Sequence, residues 1–234
     1  MTLLELMQEF CRRTGLPRPA VVASSQDDML LQLAGLLNEV VVDLVTRFRW
    51  EALSSEAAWS AVAGEDQGAM TTLAPGFDDM VPNTFWNRSV QIQYAPCLSA
   101  AEWAAQKATN MTGFYQFRIL RGHLYLRAAP TAGEQLSFEY RDNRAVVSAL
   151  SARKSYFTAD DDSSLLADEC LLLGLRWRWK AEKGFPYAEE SAAYERYVAE
   201  RSNRNNGGRS LSMDSWGSNA HPGIIIPPGS WNLP

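Results

Sequence analysis

The spacing of apolar residues changes twice along this chain, and that change restricts its fold more than any other feature. Residues 3–13 place Leu3, Leu4, Met7, Phe10 and Cys11 on one side of a short helix, which Gly15 and Pro17 stop. A second helix is predicted to open at Ser25, where Asp28 three positions on completes a pair resembling a capping box. Its stripe runs from Met29 through Leu33, Leu37, Val40 and Leu44 to Phe48, roughly 35 Å at ~1.5 Å per residue. After Trp50 the period falls from that of a helix to that of a strand. Val90, Ile92 and Tyr94 alternate with polar residues, as do Leu136, Phe138 and Tyr140. Tyr115, Phe117 and Ile119 lead into Arg121-Gly122, and Leu124 and Leu126 lead out, which predicts a hairpin turning at Gly122. Ser99 and Glu102 form a capping box before a short helix carrying Trp103.

Helical spacing returns after Asp160-Asp161-Asp162. Carboxylates there suit the free N–H groups of a helix N-terminus, and that helix is expected to run through Cys170 and Trp177 to Lys183. Gly184 and Pro186 end it. A last helix carries Tyr187, Tyr194, Tyr197 and Val198 on one side; on the other it spaces Arg196 with Glu200, and Glu200 with Arg204, for ion pairs. From Asn203 onward Asn, Ser, Gly and Pro dominate and no period survives. The expected fold is therefore α+β. A helical bundle body comes from 1–54 and 151–202, an antiparallel β domain is inserted at 55–150, and 203–234 form an extended C-terminal tail. With 234 residues, 46% of them hydrophobic, the chain can bury a core without disulfides or metals.

Several functions are disfavoured by what the residues lack. Apolar residues never approach 18 in a row, so no membrane span or membrane partner is expected. The first ten residues hold Glu5 and Glu9 and no basic residue, unlike a secretory signal. Cys11, Cys97 and Cys170 are isolated and fit free buried thiols. His123 and His221 stand far apart without ligand spacing, so no metal site is expected, and no cofactor motif occurs. A net charge of −5 lacks the basic footprint of a nucleic-acid grip. Trp177-Arg178-Trp179-Lys180 could stack bases and hold phosphates, but core tryptophans beside snorkelling basic stems explain it equally well. The Asp160–Asp162 triplet lacks the spacing of a calcium loop and reads as a helix cap. No catalytic residue is expected, because no nucleophile, base and orienting group come together.

An ordered set of short motifs adds a resemblance. Phe48-Arg-Trp-Glu-Ala-Leu53, Phe85-Trp-Asn-Arg88, Leu98-Ser-Ala-Ala-Glu-Trp103, Phe114-Tyr-Gln-Phe-Arg-Ile119 and Leu124-Tyr-Leu-Arg-Ala-Ala-Pro-Thr-Ala-Gly133 come first. Leu136-Ser-Phe-Glu-Tyr140, Phe157-Thr-Ala-Asp-Asp-Asp162 and Gly174-Leu-Arg-Trp-Arg-Trp-Lys180 follow. Together they resemble the head-to-tail adaptors of short-tailed bacteriophages, the tail tubular protein A group. The resemblance implies a virion structural protein at the head–tail junction, made in the host cytoplasm. It implies a homo-oligomeric ring, usually dodecameric, with the portal protein and a tail nozzle protein as partners. Genomic DNA would only pass through its channel. Another tail component, a receptor-binding or fibre-attachment module, is the alternative. Within the tail, Ile224, Ile225, Ile226, Pro227, Pro228 and Trp231 are apolar groups that a pure spacer would not keep, and they are the expected portal-binding anchors.

Overall fold

The computed structural model describes residues 1–97, 99–109 and 115–205. The chain is α+β, opening and closing on helices around a β-rich middle. Helix α1 (Leu3–Thr14) starts on a reciprocal box: the Glu5 N–H donates to the Thr2 hydroxyl and the Thr2 N–H to the Glu5 carboxylate. Gly15, in the left-handed region at φ 73°, closes it. Helix α2 (Asp28–Arg47) is capped by Asp27, whose carboxylate accepts from the Met29 N–H. The predicted start at Ser25 is therefore corrected. The Ser25 hydroxyl accepts from the Asp27 N–H and so holds the cap rather than being it.

A single 3-10 turn (Glu51–Leu53) leads into β1 (Ser54–Ser60) and β2 (Asp66–Ala69). One-turn helix α3 (Met70–Leu73), β3 (Phe77–Met80), β4 (Trp86–Asn87), β5 (Ile92–Gln93) and β6 (Ala95–Pro96) follow. Then come α4 (Ala100–Ala108), β7 (Gln116–Leu120), β8 (His123–Arg127) and β9 (Gln135–Asp142). Strands β10 (Val146–Val147), β11 (Arg153–Lys154) and β12 (Ser163–Ser164) precede α5 (Asp168–Glu182) and α6 (Ala188–Asn205). β9 organises the first sheet, with β1 on one edge and β3 and β4 on the other. Its Leu136 and Phe138 face Trp59 and Ala57 of β1 in register, and both are buried. The second sheet runs β2-β8-β7-β6. At the β7–β8 turn both Arg121 (φ 52°) and Gly122 (φ 76°) are left-handed, the conformation that matches the twist of a two-residue hairpin.

Other expectations change in the structure. Val90, Ile92 and Tyr94 do not share a strand: Gln91 turns at φ 58° so that β4 and β5 pair, leaving Val90 exposed and Tyr94 buried. Asp160–Asp162 cap no helix. α5 begins at Asp168, and 151–167 is loop carrying β11 and β12. The small sheet β11-β10-β12 spans the boundary expected at 150. At the other end, Asn203–Asn205 belong to α6, so helix continues past the expected start of the tail.

Two hydrophobic clusters result. One joins α1, α2, α5 and α6 around Phe10, Leu33, Leu37, Val40, Leu175 and Tyr194. The other packs between the two large sheets, around Phe85, Tyr94, Leu124, Leu126, Leu136 and Phe138. α2 is long and apolar enough to cross a membrane by length and composition, contrary to the reading of the sequence. Here it is a core helix, with seven buried aliphatic side chains and Asp43 accepting from the Tyr194 hydroxyl at 3.0 Å.

The thiols give a direct check of the helical core. Cys11 and Cys170 are fully buried, and burial raises both pKa values, that of Cys170 to about 11. Cys97 is half-buried. A maleimide should therefore label one thiol rapidly in the native protein and three in denaturant, read by intact mass. Rapid native labelling of two or three would contradict the packing of α1 against α5.

Candidate assembly surfaces

The acidic triplet is built into a clamp. The fully buried Asp162 carboxylate accepts from Lys154 Nζ at 2.8 and 3.1 Å, from the Thr158 and Ala159 N–H groups at 2.8 and 2.9 Å, and from the Thr158 hydroxyl. Burial alone would raise its pKa; Lys154 and the two backbone donors outweigh that and hold it below the ordinary carboxylate value. The Asp160 carboxylate accepts from the Val22 and Ala23 N–H groups at 3.0 and 2.8 Å. The Leu3 and Leu4 N–H groups donate to the Asp162 and Asp160 carbonyls. These contacts fasten the start of α1, and the loop before α2, to the segment that precedes α5. Among the described residues no three His, Cys, Asp or Glu side chains form a group that could hold a metal.

A second buried carboxylate, Asp142 at the end of β9, sits where the two cores meet. It accepts from Arg144 Nε and Nη2 at 2.8 and 2.7 Å, and from Arg153 at 3.3 Å. Arg144 also donates to the Pro75 carbonyl at 2.6 Å. Gly76, at φ 79°, leaves room for this pair, because a Cβ there would collide with both side chains. Beside it lies a cleft of about 300 Å³ between Phe48 and Trp50 on one wall and Asp78, Asp79 and Arg141 on the other. Arg49 and Arg141 both reach Asp79 at 3.3 Å. Asp79 is thus paired with both arginines, whereas Asp78 on the same wall is exposed and makes no ion pair among the described residues. An apolar groove of about 370 Å³ opens on the β core between Phe77, Met80 and Pro82 on one side and Phe117 and Ile119 on the other.

The basic-aromatic stretch on α5 faces inward. Trp179 meets Phe10 edge-on at 6.0 Å and Phe185 at 5.9 Å, while Trp177 lies 6.2 Å from both Tyr187 and Tyr194. The Arg178 guanidinium lies over the Trp177 ring, and Lys180 pairs with Glu190. The snorkelling reading describes these residues, and no open stacking platform exists on them. His123, at the hairpin turn, faces Asp66 across the strands at 3.2 Å. Ile224, Ile225, Ile226, Pro227, Pro228 and Trp231 lie outside the described residues.

Several apolar side chains are exposed among the described residues. Leu31 and Val42 on α2, Phe185 and Tyr187 between α5 and α6, and Ile119 and Leu120 at the hairpin all stand in solvent. Reading the sequence missed Asp142, Gly76 and these faces.

No curated protein matches the chain. The profile of the family described as SU10 adaptor protein matches residues 1–220, which takes in both cores and the start of the segment after α6. Over that span the chain belongs to the SU10 adaptor protein family, and it is a bacteriophage head-to-tail adaptor with a structural role.

Proposed function

We propose that this adaptor assembles as a homo-oligomeric ring, dodecameric as in tail tubular protein A-like adaptors, that docks on the portal and carries the tail nozzle. The helical cluster of 1–54 and 151–202 serves as the portal-side body. The β cluster within 55–150 is an inserted domain turned toward the tail. The ring sits at the head–tail junction of the virion, after synthesis in the host cytoplasm, and its channel lets genomic DNA pass. The observation that carries this reading is the match to the SU10 adaptor protein family over 1–220, a span that includes both cores. The net charge of −5 supports it further, since a conduit for DNA should repel phosphate rather than retain it.

The tail extends the same proposal. Ile224, Ile225, Ile226 and Trp231 anchor in apolar grooves of the portal, with Pro227 and Pro228 keeping the backbone extended. Native mass spectrometry of the full chain mixed with portal rings should give one complex with a fixed copy number. Deleting 221–234 should leave the Tm unchanged and abolish retention on the portal. A wild-type chain that stays monomeric beside the portal refutes the ring. A truncated chain that is retained normally refutes the anchors.

A further inference from the structure

The last described residue and a groove beside α2 lie on opposite flanks of the helical body. α5 runs antiparallel to α2, with Lys183 at Gln32 and Gly174 against Val40, and a short turn reverses the chain again into α6. α6 therefore runs beside α2 in the same direction, and its Tyr194 and Glu195 bond Asp43 and Arg47. The ten residues from Arg196 to Asn205 carry it roughly 15 Å past that level. The description thus ends at the side of the body where α2 hands the chain to the β core, with 206–234 still to follow. If the body is the portal side, that tail has to turn back along a helical body to reach the portal.

A groove of about 220 Å³ follows α2 in that direction, between Val42, Val45 and Thr46 on one side and Asp78, Asn143 and Tyr156 on the other. It shares Val45, Thr46 and Asp78 with the cleft at Phe48 and Trp50, so the two form one track along α2. Val42 and Tyr156 are 42% and 52% exposed in it. Val42 and Val45 stand one or two positions from Asp43 and Arg47, roughly 100–160° around the helix from the contacts with α6. Each cation lining the track has its carboxylate: Arg47 has Asp43 and Glu195, while Arg49 and Arg141 have Asp79. Asp142 in turn has Arg144 and Arg153. Of the lining charges only Asp78 makes no ion pair among the described residues. Glu39, exposed on α2 about a turn before Val42, adds negative charge beyond the groove.

We propose that residues 209–213 of one copy lie extended in this groove of the next copy, with Arg209 at Asp78 and with Leu211 and Met213 against Val45, Val42 and Tyr156. In an extended chain Arg209, Leu211 and Met213 fall on one side, and Ser210, Ser212 and Asp214 on the other. Between 206 and 213 the only charge is Arg209, which suits a track whose unpaired charge is acidic. Length permits docking here and anchoring beyond. Met213 comes ~26 Å after Asn205, and the 21 residues after it span up to ~70 Å, against ~30 Å for the whole of α2. The family profile ends at residue 220, so it takes in this segment and stops short of Ile224. Because groove and chain end lie on opposite flanks, the contact is head-to-tail, the kind that repeats around an axis to close a ring. The strap rests on the ring reading and adds a link between its copies.

The test assembles full-length chains on portal rings, with ring formation followed by native mass. Two variants are mixed, Thr46→Cys and Leu211→Cys, both carrying Cys97→Ser, and treated with a short bismaleimide; Cys11 and Cys170 stay buried. The expected product is a covalent heterodimer linked from 46 to 211, identified by denaturing electrophoresis and peptide mass. Asp78→Arg or Arg209→Asp alone should raise the half-saturating concentration for ring formation roughly fivefold, and the two together should restore it to within about twofold of wild type. A wild type that forms no ring overturns the ring and the strap together. A normal ring without the 46–211 heterodimer overturns the strap and leaves the ring standing. A chain carrying both cysteines that links only within itself shows the segment folded back on its own body, which overturns the exchange between copies. Single charge variants that assemble like wild type overturn the Asp78–Arg209 contact.

Discussion

Replacing Asp162 with alanine should cost this protein about 3 kcal/mol, the loss expected when one partner of a buried, hydrogen-bonded charge pair is removed. The substitution leaves Lys154 without its carboxylate and the Thr158 and Ala159 N–H groups without an acceptor. For a chain of this size that corresponds to a fall in Tm of about 6–12 °C. Asp162→Asn, which keeps the shape and one acceptor oxygen, should lose about half as much. The pH dependence has a definite sign. The folded pKa lies below the unfolded one, so the unfolded state binds more protons between the two values. The stabilisation is therefore complete above the ordinary carboxylate pKa and disappears as pH falls through the lower, folded value. Thermal melts of wild type and Asp162→Asn should differ by a constant amount near neutrality and converge in acid. The clamp also predicts where the damage appears: amide exchange should accelerate at Leu3 and Leu4, whose N–H groups donate to this segment. Equal melting of wild type and Asp162→Ala at pH 7 would show that the clamp carries no stability.

What could be read in the sequence followed from local periodicity. The stripes of α1 and α2, the Tyr194–Val198 side of α6, the strand pattern Leu136-Phe138-Tyr140 and the Arg121-Gly122 turn each rest on a residue's own neighbours along the chain, and each appears in the fold, while Tyr187, expected on the last helix, precedes α6 and is exposed. Asp160–Asp162 misled because aspartate satisfies free N–H groups wherever they occur. At a helix start those groups are local; here Asp160 reaches across to Val22 and Ala23, more than a hundred residues away. Sequence spacing carries no information about such a partner. Val90-Ile92-Tyr94 failed for a related reason, since a left-handed Gln91 converts an alternating run into two paired strand ends. The assembly surfaces were the least legible part. Helical spacing already leaves Leu31 and Val42 off the buried stripe of α2, because residues two apart on a helix point to nearly opposite sides, but it says nothing of what meets them there. Of the two ion pairs expected at Glu200, the one with Arg204 forms and the one with Arg196 does not.

The same limit sets opposite signs for two helical glycines. Gly35 in α2 and Gly174 in α5 have the same intrinsic cost, about 1 kcal/mol each relative to alanine. A Cβ on Gly35 meets open space, whereas one on Gly174 would lie 2.5 Å from Val40 Cγ1 and 3.0 Å from the Tyr194 ring. Gly174 therefore lets α5 approach α2 and α6 closely, at the centre of the helical core. Gly174→Val should destabilise the protein by about 3 kcal/mol, since overpacking forces backbone shifts and a β-branched residue offsets little of the glycine penalty. The Tm should fall by about 6–12 °C. Coupling to Val40 supplies the sharper measurement. Val40→Ala alone leaves a gap in the core, but in the Gly174→Val background it removes the atoms being struck, so the double variant should be more stable than the sum of the two losses predicts. Strict additivity would mean that Val40 is not what Gly174 accommodates. A Gly174→Val protein with an unchanged Tm would mean that α5 does not cross α2 at this point.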